Sequence, residues 1–267
     1  MISEYLKVLG FTEDIKDLED IEKLMKKHVS TFAFSSMSVV LKDEISLELG
    51  EVYKKVVLHK RGAYCFEHNK IFYEVLKHLG FDVEYHIARV VNNREVEAPL
   101  THRFTILNYE NERYLVDVGF GYYCPVKPIK FVNVQTEAQL GYVYRVHQDK
   151  NNNYALQVIH HDKWFTFYTF DLRACYEVDF ELAHFYSHKH SDAVFVNNLV
   201  VSRIMDECIY SLRNAGYQKV YRDRTENIHI ESLEQFSKVL EEELNLCFDI
   251  DERKDIYEKF IHQGINK

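Results

Sequence analysis

The chain of 267 residues contains little proline and glycine, 3 and 9 residues respectively, so composition marks no linker between domains. It also contains no internal repeat and no low-complexity segment. Its length is compatible with one large domain or with two to three small ones. Because 46% of the residues are hydrophobic, including 19 Tyr and 18 Phe, the chain can bury a substantial core. This composition excludes a disordered protein.

Basic residues form no block along the chain, and the formal net charge is -9. Nucleic acids and anionic membranes bind basic surfaces, so we expect neither as a partner. A local site can still bind an anionic co-substrate. The N-terminal segment is too charged for a signal peptide, and no stretch approaches the ~18 consecutive apolar residues of a membrane span. These features predict a cytoplasmic protein.

The cysteines are widely spaced, odd in number and without a C-x-x-C pair, which argues against a disulfide framework and a thiolate zinc site. They are Cys65, Cys124, Cys175, Cys208 and Cys247. His184, His188 and His190 lie close in sequence, but their spacing fits no recognised zinc pattern. We therefore expect no metal.

The hydrophobic pattern changes along the chain from a helical to a strand-like period. Apolar residues recur at helical spacing over residues 3–30 and again from Cys65 to Leu79, where Gly80 provides a stop. Alternating patterns and turn residues then predict an antiparallel sheet or barrel over residues 83–175. The segment FELAHFYSHKHSD is helical or mixed, AVFVNNLVVSRI resembles strand, and SLEQFSKVLEEELNL predicts a helix.

Residues 61–69, RGAYCFEHN, place a cysteine directly after a glycine-containing turn and at the start of an amphipathic helix. Unpaired N–H groups and the helix dipole favour an anion there. Thiols at helix starts have lowered pKa values, and the thiolate is the nucleophilic form. The same N–H groups can stabilise an oxyanion. Cys65 is therefore the candidate nucleophile.

A thiolate nucleophile needs a general base, and the base needs an orienting acceptor. His102 begins the apolar strand THRFTIL, and Asp117 ends the strand RYLVD. In a hairpin centred on the NYENE turn, these two residues fall roughly opposite one another, so their side chains can meet if they share a face. An acidic residue at the end of an apolar strand is otherwise costly, which also suggests a function.

These three segments, in this order, resemble motifs of the arylamine N-acetyltransferase family. RGAYCFEHN resembles the family's Arg-Gly-Gly-x-Cys-x-Glu-x-Asn element. THRFTIL resembles its Thr-His strand, and YLVDVGFG resembles its Val-Asp-Val-Gly-Phe-Gly segment. The resemblance extends over nearly the whole chain and implies a catalytic triad of Cys65 as nucleophile, His102 as base and Asp117 as orienting residue.

The resemblance also implies an α+β fold with a papain-like or transglutaminase-like core. The expected parts are a helical domain over residues 1–82, a β-barrel over 83–186 and an α/β lid with its connecting segment over 187–267. The implied activity is ping-pong acetyl transfer from acetyl-CoA to arylamines or hydrazines, with possible O-acetylation of arylhydroxylamines. The expected CoA contacts are Thr101, Gly119, Phe120 and Gly121.

Several positions depart from the family pattern. Ala63 replaces the second glycine of the nucleophile motif, and Ser35 and Ser36 replace an acid and an amide in the segment AFSSM. The family's acid commonly supports the arginine that corresponds to Arg61. We therefore expect Arg61 to need another partner, and Glu67 is the candidate. His68 and His184 are further departures.

Two other functions use the same residues. A cysteine hydrolase or transglutaminase-like enzyme would use the same triad, and acyl transfer and hydrolysis differ in whether an amine or water attacks the acyl-cysteine thioester. A low-activity family member would mainly bind CoA. The sequence leaves open the physiological acceptor, the preferred acyl chain and the oligomeric state.

Overall fold

The computed structural model of the protein describes residues 1–160 and 162–262. Helices and strands alternate unevenly, with helices first, strands in the middle and a mixture at the end. The helices are α1 Ile2–Val8, α2 Leu18–Thr31, α3 Met37–Val40, α4 Leu49–Tyr53, α5 Cys65–His78, α6 Glu177–Lys189, α7 Val194–Asn197, α8 Leu233–Lys238 and α9 Ile250–Ile256. Three of them continue as π-helical turns over Lys54–Leu58, Val239–Glu243 and Tyr257–His262.

The strands are short and mostly connected by tight turns. They are β1 Phe34–Ser35, β2 Asp82–Val90, β3 Leu100–Tyr109, β4 Glu112–Val116, β5 Ile129–Lys130, β6 Thr136–Glu137, β7 Val143–Gln148, β8 Tyr154–His160, β9 Lys163–Phe170, β10 Val200–Ile204, β11 Ile209–Arg213, β12 Gly216–Val220 and β13 Thr225–Ile228.

The N-terminal helices α2 and α5 form because each carries a continuous apolar face. In α2, Asp17 accepts a hydrogen bond from the Asp20 amide at 2.9 Å and so caps the helix start. Ile21, Leu24 and Met25 of α2 pack into one core with apolar residues of α5. Burial of these faces, rather than intrinsic propensity, stabilises the two helices.

Strands β2 to β9 form an eight-stranded antiparallel sheet in the order β5-β4-β3-β2-β9-β8-β7-β6 across the described residues. The sheet curls until its two ends meet, since the amide of Asn133, just after β5, donates to the carbonyl of Val146 in β7 at 2.8 Å. Aromatic and branched side chains fill the interior, including Phe104, Tyr144 and Phe167. This nearly closed sheet is the predicted barrel.

A second sheet joins distant parts of the chain in the order β1-β10-β11-β12-β13 within the described ranges. Phe34 of β1 pairs with Ser202 of β10, which ties the helical segment to the C-terminal one. Helices α8 and α9 contribute to the apolar core beside this sheet. The meander β11–β13 is absent from the sequence expectation, and residues 194–197 are helical where strand is predicted.

The α+β fold with its helical segment, barrel and second sheet confirms the predicted fold class. The division at residues 82 and 186 stays a prediction, and residues 263–267 of its third part lie outside the described range. Nowhere in 1–160 or 162–262 does a helix combine the length and apolarity needed to cross a bilayer.

Candidate active site

Cys65 is the first residue of α5, as predicted, and the preceding turn aims it. Gly62 has φ +69° and a Cβ there would lie 2.6 Å from the Ser35 Cβ, so the turn requires glycine. Tyr64 caps the helix in an extended conformation, and its amide donates to Glu67 Oε2 at 3.2 Å. The Cys65 thiol donates to the carbonyl oxygen of Thr101 at 3.6 Å.

His102 and Asp117 meet across the β3–β4 hairpin. Thr105 pairs with Val116, so Asp117 comes level with Phe104, and His102 lies two residues further along the same face. The predicted contact is therefore diagonal rather than directly opposite. His102 Nε2 lies 2.7 Å from Asp117 Oδ2, and both side chains are buried. Because Nε2 of His102 is hydrogen-bonded to Asp117, Nδ1 is the ring nitrogen that remains available to Cys65.

The carboxylate of Asp117 is fully surrounded by donors. Tyr168 Oη donates to Oδ2 at 2.9 Å, while Asn69 Nδ2 and the Gly119 amide donate to Oδ1 at 3.0 and 2.9 Å. Burial alone would raise the pKa of Asp117, but its charge interaction and hydrogen bond with His102, together with the hydrogen bonds from Asn69 and Gly119, lower it below the ordinary value. Asp117 is therefore a carboxylate at neutral pH.

The electrostatics of the pair favour a protonated imidazole. Burial disfavours the charged ring, but the Asp117 carboxylate and, to a lesser degree, the neighbouring Cys65 raise the pKa of His102 from 6.5 to about 10. An imidazolium beside a thiolate is the arrangement that activates a cysteine nucleophile.

Two further residues of this network were given no role by the sequence reasoning. Asn69 is one turn after Cys65 on the same helix face, and its amide links Asp117 to the Arg103 carbonyl at 2.6 Å and accepts from the Val118 amide at 3.1 Å. The i, i+4 spacing is a signal that could have found it. Tyr168 comes from β9, 51 residues after Asp117, and no local pattern points to it.

The segment after Asp117 packs closely against Cys65. A Cβ at Gly119 would lie 2.6 Å from Asn69 Nδ2 and 2.8 Å from the Cys65 Cα, so packing alone requires glycine at this position. Gly121 has φ +77°, which also favours glycine. The ring of Phe120 stands edge-on to His102 with centroids 5.1 Å apart.

Cys65 and His102 open into a cleft with a volume of about 630 Å³. The four expected CoA contacts, Thr101, Gly119, Phe120 and Gly121, line the same cleft, whereas Asp117 lies behind it. Residues of the β2–β3 loop, α6 and α7 complete the walls, among them Val96, Tyr186, Ser187 and Phe195. Its volume lies in the usual range of small-molecule sites.

Arg61 is not left without a carboxylate, and the expectation that Glu67 supports it is wrong. Its guanidinium pairs with both oxygens of Glu252 at 2.7 and 3.0 Å and with Asp43 at 2.8 Å. The guanidinium carbon of Arg61 also lies 4.3 Å from the centroid of the Phe248 ring. Glu67 instead pairs with Lys55 at 2.6 Å. Glu252 of α9 thus supplies a carboxylate to Arg61, whereas the family pattern has its acid at the position of Ser35.

The other departures from the family pattern are also accommodated. Ala63 bridges to Phe34 in a strand-like pairing that needs no glycine. Ser36 Oγ bonds the carbonyl of Asn198 and the amide of Val200 at 3.1 and 2.9 Å. His68 lies in a buried chain that runs from Tyr5 Oη through His28 to His68, with distances of 2.6 and 2.8 Å.

His184 and His188 have partners that explain their positions. His184 bonds Tyr64 Oη through Nδ1 and the carbonyl of Ile45 through Nε2 at 2.8 Å. His188 Nδ1 lies 2.7 Å from the carbonyl of His184. In the part of the chain that the structure describes, no group of three or more His, Cys, Asp or Glu could hold a metal ion.

Comparison with known proteins places the chain in a family. Residues 17–253 match the N-acetyltransferase family. The chain is 33% identical over 188 residues to the arylamine N-acetyltransferase of Escherichia coli K12, covering 70% of this chain and 66% of that one. It is 26% identical over 235 residues to the arylamine N-acetyltransferase / N-hydroxyarylamine O-acetyltransferase of Salmonella typhimurium, covering 87% and 83%.

The fold agrees with these matches. The solved structure of Mycobacterium marinum arylamine N-acetyltransferase in complex with CoA superposes with a TM-score of 0.89 at 23% identity, covering 98% of this chain and 100% of that one. The chain belongs to the arylamine N-acetyltransferase family.

Proposed function

We propose that this protein transfers an acetyl group from acetyl-CoA to the nitrogen of arylamines or arylhydrazines, through an acetyl thioester on Cys65. The observation that supports it best is the buried Cys65–His102–Asp117 arrangement at the floor of the cleft, in a chain of this family. The name of the Salmonella relative adds O-acetylation of arylhydroxylamines as a second reaction of the same site.

The residues supply the first half-reaction as follows. The Cys65 thiolate, stabilised by the His102 imidazolium, attacks the acetyl carbonyl of the donor. Backbone amides at the start of α5 stabilise the oxyanion, because the first amides of a helix lack intrahelical partners. The carbonyl-to-sulfur bond of the donor then breaks, His102 protonates the departing thiolate and the acetyl group stays on Cys65.

In the second half-reaction, the neutral ring of His102 accepts a proton from the acceptor amine as its nitrogen attacks the acetyl carbon of the thioester. The Cys65 thiolate leaves, and the imidazolium beside Asp117 is restored. Asp117 holds the ring through Nε2 and stabilises its charge without taking the proton. We assign Thr101, Gly119, Phe120 and Gly121 to the CoA side of the cleft, where the two glycines leave only backbone beside the donor.

Mass spectrometry of the protein mixed with acetyl-CoA tests this function. We expect a gain of one acetyl group on Cys65 and its loss on addition of an arylamine. Release of free CoA should depend on the arylamine after the first turnover. Continuous CoA release without an acceptor would favour a hydrolase, and CoA binding without an acetyl adduct would favour a non-catalytic binding protein.

A further inference from the structure

An ionic cluster around the buried side chain of Arg103 lies behind the site and joins three of the elements that build it. Glu177, the first residue of α6, accepts from Arg103 through both oxygens, at 3.0 and 3.1 Å. Its Oε1 also accepts from Lys70 Nζ at 3.0 Å. Lys70 belongs to α5 and Arg103 to β3, so one carboxylate connects a helix start to the helix and the strand that carry the nucleophile and the base.

Two members of the cluster are direct sequence neighbours of site residues. Arg103 follows His102, and because successive strand residues point to opposite faces, His102 faces the cleft while Arg103 faces α6. Lys70 follows Asn69, whose amide bonds both Asp117 and the Arg103 carbonyl. The proposed triad and the cluster therefore occupy opposite sides of the same two backbone segments.

Glu177 is the carboxylate that pairs with the guanidinium of Arg103. The Arg103 side chain is fully buried, its guanidinium carbon lies 4.2 Å from the centroid of the Phe180 ring, and its Nε has no hydrogen-bond partner among the described residues. A buried cation that loses its carboxylate is strongly destabilising. The Glu177–Arg103 pair therefore connects the N-terminal end of α6 to β3.

The other end of α6 forms part of the cleft. Tyr186 and Ser187 line it, nine to ten residues and thus ~14 Å along the helix from Glu177. Between them, His184 bonds the hydroxyl of Tyr64, the residue before Cys65. A helix anchored at Glu177 therefore carries a cleft wall and a contact to the nucleophile turn at fixed positions.

We infer that Glu177 is a positioning residue for acyl transfer: through Arg103 and Lys70 it holds α6, and with it the cleft wall that orients the acceptor over the acyl-cysteine. The inference rests on the proposed function. It separates two properties of the site, since Cys65, His102 and Asp117 are arranged by α5, β3 and β4, whereas the acceptor wall is arranged by α6.

Glu177→Gln, Glu177→Asp and the control Glu74→Gln test this role. Glu74 also pairs with Lys70, at 3.1 Å, whereas the ion pair of Arg103 among the described residues is with Glu177. Transfer is measured with p-nitrophenyl acetate as donor and aniline as acceptor, and Cys65 reactivity by iodoacetamide alkylation, all well below the melting temperature. Hydrogen exchange of the α6 peptide 183–189 reports the wall independently of activity.

In Glu177→Gln we expect the melting temperature to fall by roughly 5–10 °C, because Arg103 is left unpaired. Transfer to aniline should fall about tenfold, since small misplacements of a positioning wall are costly.

Glu177→Asp keeps the charge on a shorter side chain. It should melt near the unaltered protein, yet transfer more slowly and exchange faster over 183–189. Alkylation should stay within about twofold of the unaltered protein in all variants, and Glu74→Gln should match the unaltered protein.

The results separate this inference from the proposed function. If the unaltered protein forms no acetyl-Cys65, the proposed function fails, and exchange over 183–189 still decides whether Glu177 positions α6. Unchanged transfer and exchange in Glu177→Asp would overturn the positioning role. So would parallel losses of alkylation and transfer, which indicate a purely structural residue.

Discussion

Replacing Asp117 by asparagine should invert the hydrogen bond that orients His102. Asn69 Nδ2 and the Gly119 amide both donate to Oδ1, and neither can turn into an acceptor. The amide oxygen of the new side chain must therefore take the Oδ1 position. Its NH₂ group then faces His102 Nε2, at the present distance of 2.7 Å, and donates to it. The ring proton moves to Nδ1, the nitrogen that must accept a proton from the acceptor.

The magnitude follows from the charge that is lost. The carboxylate is a main reason why the pKa of His102 lies at about 10 rather than 6.5, a difference that corresponds to at most ~5 kcal/mol. Losses of about 10⁴-fold accompany the equivalent change in a Ser-His-Asp triad. We expect a somewhat smaller loss here, about 10³-fold, because a thiolate depends less on its base than a serine does.

The assay is the rate of free CoA release with saturating arylamine, together with the alkylation rate of Cys65 as a function of pH. Tyr168→Phe is the matched control, since it removes one neutral donor to Asp117 and leaves the carboxylate in place. We expect it to lose less than about tenfold, the worth of one hydrogen bond. An Asp117→Asn protein that folds and transfers acetyl groups within threefold of the unaltered protein would refute this reasoning.

Three other outcomes are expected. Iodoacetamide should alkylate Cys65 well before the other cysteines near neutral pH, as peptide mapping can show, and uniform labelling would contradict the proposed triad. Glu252→Gln should lower the free energy of unfolding by about 1–3 kcal/mol in chemical denaturation, because Arg61 loses a charged partner, whereas an unchanged midpoint would show that Asp43 suffices. Burial holds the pKa of His28 well below 6.5 and lowers that of His68 to about 4, so both rings bind a proton more readily in the unfolded chain. The free energy of unfolding should therefore fall as the pH drops below 6.5. His68→Gln should reduce this pH dependence by up to ~1.4 kcal/mol per pH unit.

The sign of the His102 contribution is opposite to that of the buried histidines. Its folded-state pKa is raised, so its stabilisation is fully present below pH 6.5 and is lost as pH rises through about 10. Denaturation of the unaltered protein between pH 6.5 and 10 should show this decline, and Asp117→Asn should remove it. An identical decline in both proteins would assign it to other groups.

Short-range rules in the sequence were enough to predict the position of Cys65 at a helix start and the strand pair that carries His102 and Asp117. The glycine turn and the amphipathic period place Cys65 at the first position of α5, and these signals act over a few residues. The NYENE turn defines a hairpin, so it brings His102 and Asp117, which are only 15 positions apart in the chain, near one another. The register of β3 against β4, which makes the contact between His102 and Asp117 diagonal, could be determined only from the folded structure.

Contacts between distant segments were decided by tertiary structure alone. Glu252 reaches Arg61 across 191 residues, and Tyr168 reaches Asp117 across 51. No local sequence pattern identifies Glu252 or Tyr168 as a partner, because any acid or hydroxyl brought to the same position could form the same hydrogen bond. Residues 194–197 are helical although their composition favours strand. Phe195 contacts the rings of Phe34 and Tyr64, with centroids 5.6 and 5.7 Å apart, and such long-range contacts readily outweigh strand propensity. Sequence periodicity specifies which face of an element is buried, and only the packed chain specifies what that face meets.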